Sequence, residues 1–371
     1  MRSQSRCPHG TWHLPRSNLA PVDTLTHALS GALLARASAA HDAPPRSIPR
    51  RVAAGFLACA APDLDFVIGF FGPVQYLMNH RGVTHSVLLL PLWALLVSWV
   101  LAKLLRAPGG WRELYAVAAL GIGAHIAGDV ITSFGTMVLA PVSDWRAIFG
   151  STFIIDLWFS GIIAAGLIAS LVWRDRRWPA VAATALLIGY VGAQGMLKGK
   201  AEEFGERYAA SLGLGGARVA VHPQPLSPFN WLIFVSDDRA HRYARVNLLR
   251  EQSLPETADA GFFARIDAAY RPVSAASWEI RLLFGTSAEE QAIARDAWNS
   301  PALGFFRWFA AQPAFDGITR GSTCVWFVDL RFDSPARDTL PFRYGACRDE
   351  GRPWRAYRRD GADIATPVDG H

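Results

Sequence analysis

The sequence predicts a mainly α membrane protein, in which a bundle of about six transmembrane helices is followed by a soluble α+β domain. Hydrophobic residues make up 51% of the 371-residue chain, and they are concentrated before about residue 200. Six apolar segments occupy that part, and three clusters of basic residues lie between them. The segments cover residues 25–40, 52–71, 87–105, 114–131, 153–173 and 179–197.

Length identifies the clearest transmembrane candidates. A helix needs roughly 20 mainly apolar residues to cross the hydrocarbon core of a bilayer, and the third, fifth and sixth segments meet that requirement. The segment at 25–40 is short and rich in small residues, and the segment at 52–71 is interrupted by Pro62 and two aspartates. For these two segments, a helix in the core of a soluble protein is an alternative.

The basic residues predict one orientation for the whole bundle. Lys and Arg are enriched in the cytoplasmic loops of membrane proteins, and placing all three clusters on that side gives one alternating topology. In that topology His27, the loop at 80–85, Asp129 and everything after about residue 198 lie outside the cytoplasm. The clusters are Arg46, Arg50 and Arg51; Lys103, Arg106 and Arg112; and Arg174, Arg176 and Arg177.

The net charge of +6 has the same origin, because these clusters flank the apolar segments. Nucleic acid is not an expected partner, since no basic run is interleaved with exposed aromatic residues. The lipid bilayer is the expected partner.

The chain is expected to divide into three parts. Residues 1–21 lack the apolar core of a signal peptide and are expected to be a disordered extension, with Val22 as a candidate true start. Residues 22–200 form the membrane part. Residues 201–371 are expected to be an extracytoplasmic α+β domain, with strands around a Pro-rich turn, a helix at 288–298 and a late hairpin.

The four cysteines argue against a cysteine zinc site, because the chain has no CxxC motif. Cys324 and Cys347 are the cysteines of the C-terminal half. They could form a disulfide if that half lies outside the cytoplasm.

The strongest functional signal is a histidine and an aspartate inside an apolar segment. His125 and Asp129 lie four residues apart in 114–131, so their side chains project from one helix face. Both are costly in hydrocarbon, which indicates a shared polar interior. A hydrogen-bonded pair between two spans is one explanation. Because further His and Asp groups occur nearby, we favour a metal site, and mixed His and carboxylate ligands suit zinc, manganese or iron.

The PDLD motif places two more carboxylates at a helix break. Pro62 frees Asp63 and Asp65 from regular helix, and irregular backbone at membrane depth is tolerated only where it lines a cavity or is covered by protein. Asp63 is a candidate metal ligand, with an N-cap of the helix through 66–71 as the alternative. Either carboxylate could act as a general base or bridging ligand, and Asp65 is assigned the catalytic role.

The HRGVTH motif places two histidines at the start of the third segment. His80 and His85 flank Gly82, and a loop that runs into a helix can aim both imidazoles at one point, as metal ligands. Arg81 could hold a phosphate oxygen bidentately and is assigned a catalytic role. For Arg81, a place in an interfacial polar loop is the alternative.

Two further polar residues belong to this picture. His27 opens the first segment as a candidate ligand, with Asp23 as its hydrogen-bond partner or Thr24 as a helix cap. Asp156, inside the fifth segment, is either functional or hydrogen-bonded to a neighbouring span. Other catalytic patterns are missing from the sequence: GxSxG, Walker A, HExxH and a GxGxxG that follows a strand.

The order of four motifs resembles a known family. DTLTHALSGALL, PDLD, HRGVTHS and the stretch at 121–141 follow one another as in the YdjM-like family of bacterial inner-membrane proteins. The resemblance covers residues 22 to about 200, and HPQPLSPFNW at 222–231 is similar to a feature of longer members. It implies a multi-pass protein of the bacterial inner (plasma) membrane with metal-dependent hydrolase activity.

The motif arrangement is also similar to that of the zinc-dependent phospholipase C and single-strand nuclease group. That group uses a free N-terminal Trp as a ligand, which this chain lacks, and the difference implies fewer ions, one or two. The ligands that the similarity implies are His27, Asp63, His85, His125 and Asp129, with His80 as a further one.

These observations predict an integral membrane metal-dependent hydrolase that acts on a phosphoester, including that of a lipid. The metal would be divalent, with zinc preferred over manganese or iron. The alternative is a non-catalytic metal-binding membrane scaffold or a transporter-like protein. Inverted repeats would support a transporter, and the sequence shows no such internal symmetry.

Overall fold

The computed structural model describes residues 20–255, 261–319, 323–335, 340–349, 351–360 and 364–368. The predicted N-terminal extension lies almost entirely outside these residues. The first half of the described chain is helical. Its helices are α1 (Ala20–Ala37), α2 (Ile48–Ala60), α3 (Pro73–Asn79), α4 (Leu90–Leu104), α5 (Trp111–Val130), α6 (Leu157–Val172) and α7 (Trp178–Ser211).

Helix α2 changes into a 3-10 helix at the PDLD motif. Pro62 has no N–H to donate and its ring disfavours a continuing α-helix, so the chain tightens into the 3-10 segment Ala61–Phe71. A second short 3-10 turn, Val83–His85, precedes α4. These two irregular segments carry the PDLD carboxylates and His85 to the same end of the bundle.

Glycines allow α1, α2 and α5 to pack closely. A Cβ at Gly31 would lie 2.2 Å from the carbonyl oxygen of Gly55, and a Cβ at Gly121 would lie 3.1 Å from the backbone nitrogen of Cys59. Small residues at such contacts let helix backbones approach, as is common between membrane helices. The three helices thereby form the core on which the polar residues are held.

The predicted basic clusters meet at one end of the bundle. Arg51 donates from Nε to the last turn of α1, and Arg36 donates to carbonyl oxygens of the link between α6 and α7. Arg50 pairs with Glu113 at the start of α5, with 2.9 Å between Nη1 and Oε1. His27 and Asp129 lie toward the opposite end of their helices. The bundle therefore has one basic end and one end that carries the candidate ligands.

The structure supports fewer membrane spans than the sequence predicted. Within the described residues, Pro45–Phe71 and Trp178–Ser211 are long and apolar enough to cross a bilayer. The segments Pro73–His85 and Leu90–Leu104 would form a third span if they are counted together, although they are bent by 83°. Helix α6 is apolar but shorter. The bundle of six transmembrane helices is thus not confirmed, and the spans assigned to 25–40 and 114–131 stay predictions.

The second half of the chain contains two sheets among the residues that the structure describes. The first has the order β1-β2-β3-β4, with β5 also paired to β3, and the second is the antiparallel meander β10-β9-β8-β7-β6. The predicted helix at 288–298 is α9. The elements are β1 (Arg218–Pro223), β2 (Asn230–Ser236), β3 (Ala240–Asn247), α8 (Phe262–Ala268), β4 (Arg271–Pro272), β5 (Glu279–Leu282), α9 (Ala288–Asn299), α10 (Gly304–Phe309), β6 (Pro313–Thr319), β7 (Thr323–Asp329), β8 (Tyr344–Arg348), β9 (Arg355–Asp360) and β10 (Ile364–Pro367).

Helix α7 connects the first sheet to the bundle, and a disulfide links two strands of the second sheet. Helix α7 continues to Ser211, past the predicted boundary at residue 200, and a Cβ at Gly205 would lie 2.6 Å from a methyl group of Val219 on β1. Cys324 and Cys347 face each other across β7 and β8 and form the disulfide that the sequence allowed.

The sheet-containing half packs on the end of the bundle that carries the candidate ligands. Phe134, which follows α5, packs against the rings of Phe309, Phe332 and Phe342. Arg331 donates to the carbonyl oxygens of Ser133 (2.9 Å) and Phe309 (2.8 Å). The C-terminal half therefore contacts and stabilises the loop that follows α5.

Candidate metal centre

Five of the predicted ligands converge at this end of the bundle. They form two groups that share His125, and within each group the candidate ligand atoms lie within 4.8 Å of one another. Four chain segments contribute: α1, the two 3-10 turns and α5. The groups are His27, His125 and Asp129, and Asp63, His85 and His125.

Burial makes this cluster costly without a compensating charge. The side chains of His85, His125 and Asp129 are fully buried. A buried ionised group is tolerated only when it is paired, hydrogen-bonded or bound to a metal. The hydrogen bonds and ion pairs of each residue therefore indicate whether the cluster is suited to bind a metal ion.

His125 is oriented by the helix break at PDLD. Its Nδ1 lies 2.6 Å from the carbonyl oxygen of Cys59. In the 3-10 geometry this carbonyl would bond to the nitrogen of Pro62, which has no hydrogen, so it is free to accept. The bond places the proton on Nδ1 and directs the Nε2 lone pair into the cluster, the arrangement found in metal-ligating histidines.

His85 is oriented in the same manner by a side-chain relay. The hydroxyl of Thr84 donates to Asp65 (3.2 Å), and its oxygen lies 2.8 Å from Nδ1 of His85. The Nδ1 of His85 is therefore the donor of that bond. Its Nε2 lone pair points toward Nε2 of His125, 2.9 Å away.

Asp129 lies at the centre of the cluster. Its Oδ1 is 3.2 Å from Nε2 of His27, and its Oδ2 is 3.1 Å from Nε2 of His85. Although these distances are short, both carboxylate oxygens and Nε2 of His27 lack a hydrogen bond of acceptable geometry. Buried acceptors and imidazole nitrogens that converge without hydrogen-bonding one another fit a bound cation.

Asp63 joins the cluster instead of capping a helix. Its Oδ1 lies 3.4 Å from Nε2 of His125, and its Oδ2 is buried without a partner. The 3-10 segment has Ala60 as its N-cap, with no side-chain cap. The side chain of Asp63 is 13% exposed, so this carboxylate is at the more open side of the cluster.

The donor set of three imidazoles and two carboxylates suits zinc, manganese or iron. Soft thiolate ligands are not part of it, since Cys59 contributes its carbonyl group to His125.

His80 and Asp65 form a separate pair beside the cluster. Nδ1 of His80 lies 2.8 Å from Oδ1 of Asp65, whose Oδ2 accepts from the backbone N–H of Arg81 at 3.0 Å. His80 belongs to neither ligand group. The PDLD motif thus sends its two carboxylates in different directions, Asp63 to the cluster and Asp65 to the HRGVTH loop.

Arg81 is buried against the acidic residues of the site. Its Nη2 lies 3.0 Å from Asp129 and 3.3 Å from Asp23, and its Nη1 donates to Thr132 at 3.0 Å. The ring of Phe134 lies 5.0 Å from the guanidinium carbon. Arg81 therefore neutralises two carboxylates, so both of its terminal nitrogens are occupied. Its φ of +60° is uncommon for a non-glycine residue and marks a constrained backbone at the site.

Asp156 has a structural role. Its Oδ1 accepts from the backbone nitrogens of Trp158 and Phe159 as the N-cap of α6, and its Oδ2 accepts from the hydroxyl of Tyr190 at 2.7 Å. This is the hydrogen-bonded alternative that the sequence left open.

Other contributors to the site were not singled out from the sequence. A Cβ at Gly128 would lie 2.9 Å from Cε1 of His27, so this glycine makes room for the imidazole. Phe134 covers Arg81, and the signal for both residues was their position in the stretch that carries Asp129. The Cys59 carbonyl had no sequence signal apart from the proline three residues later.

Comparisons with known proteins match the part of the chain that carries the cluster. Residues 22–201 match the model of a family described as YdjM inner membrane protein, and that range contains every side chain of the cluster. The Bacillus subtilis (strain 168) protein "Uncharacterized protein YfhP" is 27% identical over 132 residues, which is 36% of this chain and 39% of that protein. The chain thus matches less than half the length of this curated relative. No solved structure matches the chain.

Proposed function

We propose that this chain, whose residues 22–201 belong to the YdjM inner membrane protein family, is an integral membrane metal-dependent hydrolase that acts on a phosphoester. The observation that carries the proposal is the convergence of His27, Asp63, His85, His125 and Asp129 in two ligand groups that share one imidazole. The oriented Nε2 atoms of His85 and His125, together with the buried Oδ2 of Asp63 that has no hydrogen-bond partner, support metal binding at this point.

A bound divalent ion, with zinc as the preferred metal, would polarise the phosphoryl oxygen and lower the pKa of a bound water. The five converging side chains would hold it. Arg81 pairs with Asp129 and Asp23 and offsets the negative charge of these carboxylates.

His80 and Asp65 are the residues that we assign to proton transfer. The carboxylate of Asp65 is buried behind the imidazole, whereas the side chain of His80 is 15% exposed. A carboxylate in this position orients the ring and fixes which of its nitrogens carries the proton. In this proposal His80 Nε2 takes or gives the proton and Asp65 positions the ring. The sequence had suggested His80 as a metal ligand and Asp65 as the catalytic carboxylate.

The surroundings of the cluster support a lipid as the source of the phosphoester. The 3-10 segment that carries Asp63 exposes Leu64, Phe66 and Phe70, and its last residue, Phe71, is 78% exposed. A contiguous exposed apolar surface marks a membrane or binding contact. A phospholipid could keep its acyl chains in the bilayer while its head group reaches the site.

We further propose that the protein is multi-pass, with the site and the C-terminal half outside the cytoplasm. The meeting of all three basic clusters at the opposite end of the bundle supports this orientation.

The test is hydrolysis by the purified full chain in detergent, with phospholipids and a soluble phosphodiester as substrates. Activity should disappear with a chelator and return with Zn²⁺ or Mn²⁺. His80→Gln should lower kcat by about 10²- to 10⁴-fold, the usual contribution of a general acid or base, and should leave bound metal unchanged. His41→Gln is a matched control, because His41 is exposed and lies after α1, near the basic end.

Metal content is measured on the same samples. Activity that survives both chelation and Asp63→Asn would exclude this mechanism. Bound metal without turnover of any phosphoester would instead favour the second candidate, a non-catalytic metal-binding scaffold. The close pairing of Arg81 with Asp129 and Asp23, which is suited to a rigid structural site, is the observation in favour of that candidate.

A further inference from the structure

A groove of about 450 Å³ runs along the outer surface of the bundle between α6 and α7. Every residue that lines it is Leu, Ile, Trp, Pro, Ala or Gly. Its α6 wall extends from Leu157 to Ala169, about 18 Å at 1.5 Å per residue. The groove therefore runs along most of α6, on the surface that faces lipid if these helices span the bilayer.

The small residues of α6 shape the groove, since the two helices are close at Gly166 whereas the space beside Gly161 is open. A Cβ at Gly166 would lie 2.3 Å from Cβ of Ala183, which marks the contact. Gly161, five residues earlier, is exposed, and a Cβ there would meet nothing within 4 Å. Ala165 and Ala169 continue the same face of α6, so the floor of the groove is made of small side chains.

One end of the groove is aromatic and basic. The rings of Trp173 and Trp178 lie 5.5 Å apart there, and Trp178 lines the groove. The exposed link between the helices carries Arg174, Arg176 and Arg177, with Asp175 as its acidic residue. No salt bridge within the described part of the chain involves these arginines.

The backbone of this link is fixed in place. Arg36 donates from Nη2 to the carbonyl oxygens of Arg174 and Arg176, both at 2.7 Å, and Arg177 donates to the carbonyl oxygen of Ala39 at 3.0 Å. The basic end is therefore an ordered feature with a surplus of positive charge. Such a cluster beside interfacial tryptophans is typical of binding to anionic lipid head groups.

We propose that the groove binds an acyl chain of an anionic phospholipid, whose phosphate lies at Arg174 and Arg176. The apolar walls suit the acyl chain, and Arg174 and Arg176, which form no salt bridge within the described residues, suit the head group; Nε of Arg174 donates to the carbonyl oxygen of Leu171. This site is distinct from the metal centre and does not depend on the proposed hydrolase activity.

A helix from a second copy of this chain is the competing occupant, because Gly161, Ala165 and Ala169 repeat every four residues. Close helix pairing needs a flat face of small residues. Here the exposed side chains of Trp158, Trp178 and Leu186 stand along the rim of the groove. They would hold a second backbone away but would enclose a thin acyl chain.

The test is native mass spectrometry of the full chain in mild detergent with added phosphatidylglycerol or phosphatidylcholine. Wild-type protein should retain one phosphatidylglycerol in preference to phosphatidylcholine. Gly161→Phe should fill the groove and remove the bound lipid. Gly189→Phe is the matched control, because Gly189 is also exposed and free of neighbours within 4 Å but lies outside the groove.

A second variant leaves the helix contact untouched. Replacing Arg174 and Arg176 by Gln should weaken phosphatidylglycerol binding about fivefold for each arginine, since one basic residue near an anionic surface contributes about 1 kcal/mol. Phosphatidylcholine binding should not change. Lipid retention by Gly161→Phe at the wild-type level would overturn the proposal, as would equal binding of the two lipids by wild type. A wild-type dimer that Gly161→Phe converts to a lipid-free monomer would assign the groove to a second copy.

Discussion

The Nε2 atoms of His85 and His125 face each other at 2.9 Å. Each ring donates its Nδ1 proton elsewhere, His125 to the Cys59 carbonyl and His85 to Thr84. Both Nε2 lone pairs are therefore directed at the same point, where they repel each other unless a proton or a cation lies there. The carboxylate of Asp129 lies 3.1 Å from the first nitrogen and 3.6 Å from the second. Two imidazoles and a carboxylate in this relation have the chemistry of a divalent metal site.

The first prediction concerns His125, which both ligand groups share. His125→Ala should lose most of the metal that the wild-type protein retains through purification and dialysis, because it removes a ligand from each group. Elemental analysis by mass spectrometry measures the metal per chain. His41→Ala, at an exposed histidine near the basic end, should keep the wild-type content. Unchanged metal in His125→Ala and Asp129→Asn together would refute the site.

The second prediction uses the space that Gly128 leaves for His27. Gly128→Ala would place a Cβ 2.9 Å from Cε1 of the imidazole, closer than real Cβ contacts, so His27 has to move. Metal affinity should fall by about 10- to 100-fold, as when a ligand loses its support. Gly123→Ala on the same helix is the control, because its Cβ would meet Leu90 at an ordinary 3.5 Å. Equal affinities in a competition assay with a fluorescent chelator would exclude His27 as a ligand.

Much of the site was predictable because its residues follow helical spacing and a helix break. His125 and Asp129 share a helix face at a separation of four residues, and Pro62 ends the α-helix before Asp63. Neither feature depends on the rest of the fold. The different roles of Asp63, a candidate metal ligand, and Asp65, the partner of His80, were not predictable. They depend on which carboxylate faces α5 and which faces the HRGVTH loop.

The role of Arg81 shows a second limit of the sequence. An arginine between two histidines suggests a phosphate ligand, but the structure places it against Asp23 and Asp129, which are 58 and 48 residues distant in the chain. The contact of Phe134 with Phe309 is equally non-local. Periodicity and turn chemistry report on neighbours in sequence, whereas the contacts of Arg81 arise from packing within the bundle, and the contact of Phe134 arises from packing of the C-terminal half on the bundle.

The third prediction concerns orientation. A reporter that is active only in the periplasm should be active when it is fused at Gly215, beyond the end of α7. When it is fused at Arg176 it should be inactive, whereas a reporter that works in the cytoplasm should be active at that position. The physical reason is the enrichment of Lys and Arg in cytoplasmic loops. Mass analysis under non-reducing conditions gives an independent check, because Cys324 and Cys347 should be oxidised in native membranes. Reversed reporter signals, together with free thiols at Cys324 and Cys347, would place the candidate metal centre on the cytoplasmic side of the membrane.

The fourth prediction concerns His222, a buried histidine of β1. Neither of its ring nitrogens has a hydrogen-bond partner, and the ring lies against Phe234 at 5.8 Å between centroids. Burial, and secondarily the positive charge of Arg331, lowers the pKa of His222 to about 3, with Asp329 opposing the effect. The neutral ring is therefore the form that the fold accepts.

The sign of the pH dependence follows from that lowered pKa. The unfolded chain binds the proton near pH 6.5, so the folded state is favoured fully above that pH and loses stability as the pH falls from 6.5 toward 3. At pH 5 the loss is about 2 kcal/mol, from about 1.4 kcal/mol per pH unit. His222→Leu removes this term. At pH 7 it should be neutral or slightly stabilising, because it replaces an unpartnered polar group in the core.

Thermal unfolding of the full chain in detergent, at pH 7 and at pH 5, measures the effect. The melting temperature of His222→Leu should fall less between the two pH values than that of wild type. His41→Leu is the control and should follow wild type, since His41 is exposed to solvent and lies after α1, away from β1. Parallel curves for wild type and His222→Leu would mean that the folded protein accepts a charged His222. Some partner, such as an ordered water or the Asp329 carboxylate, would then have to satisfy the protonated ring.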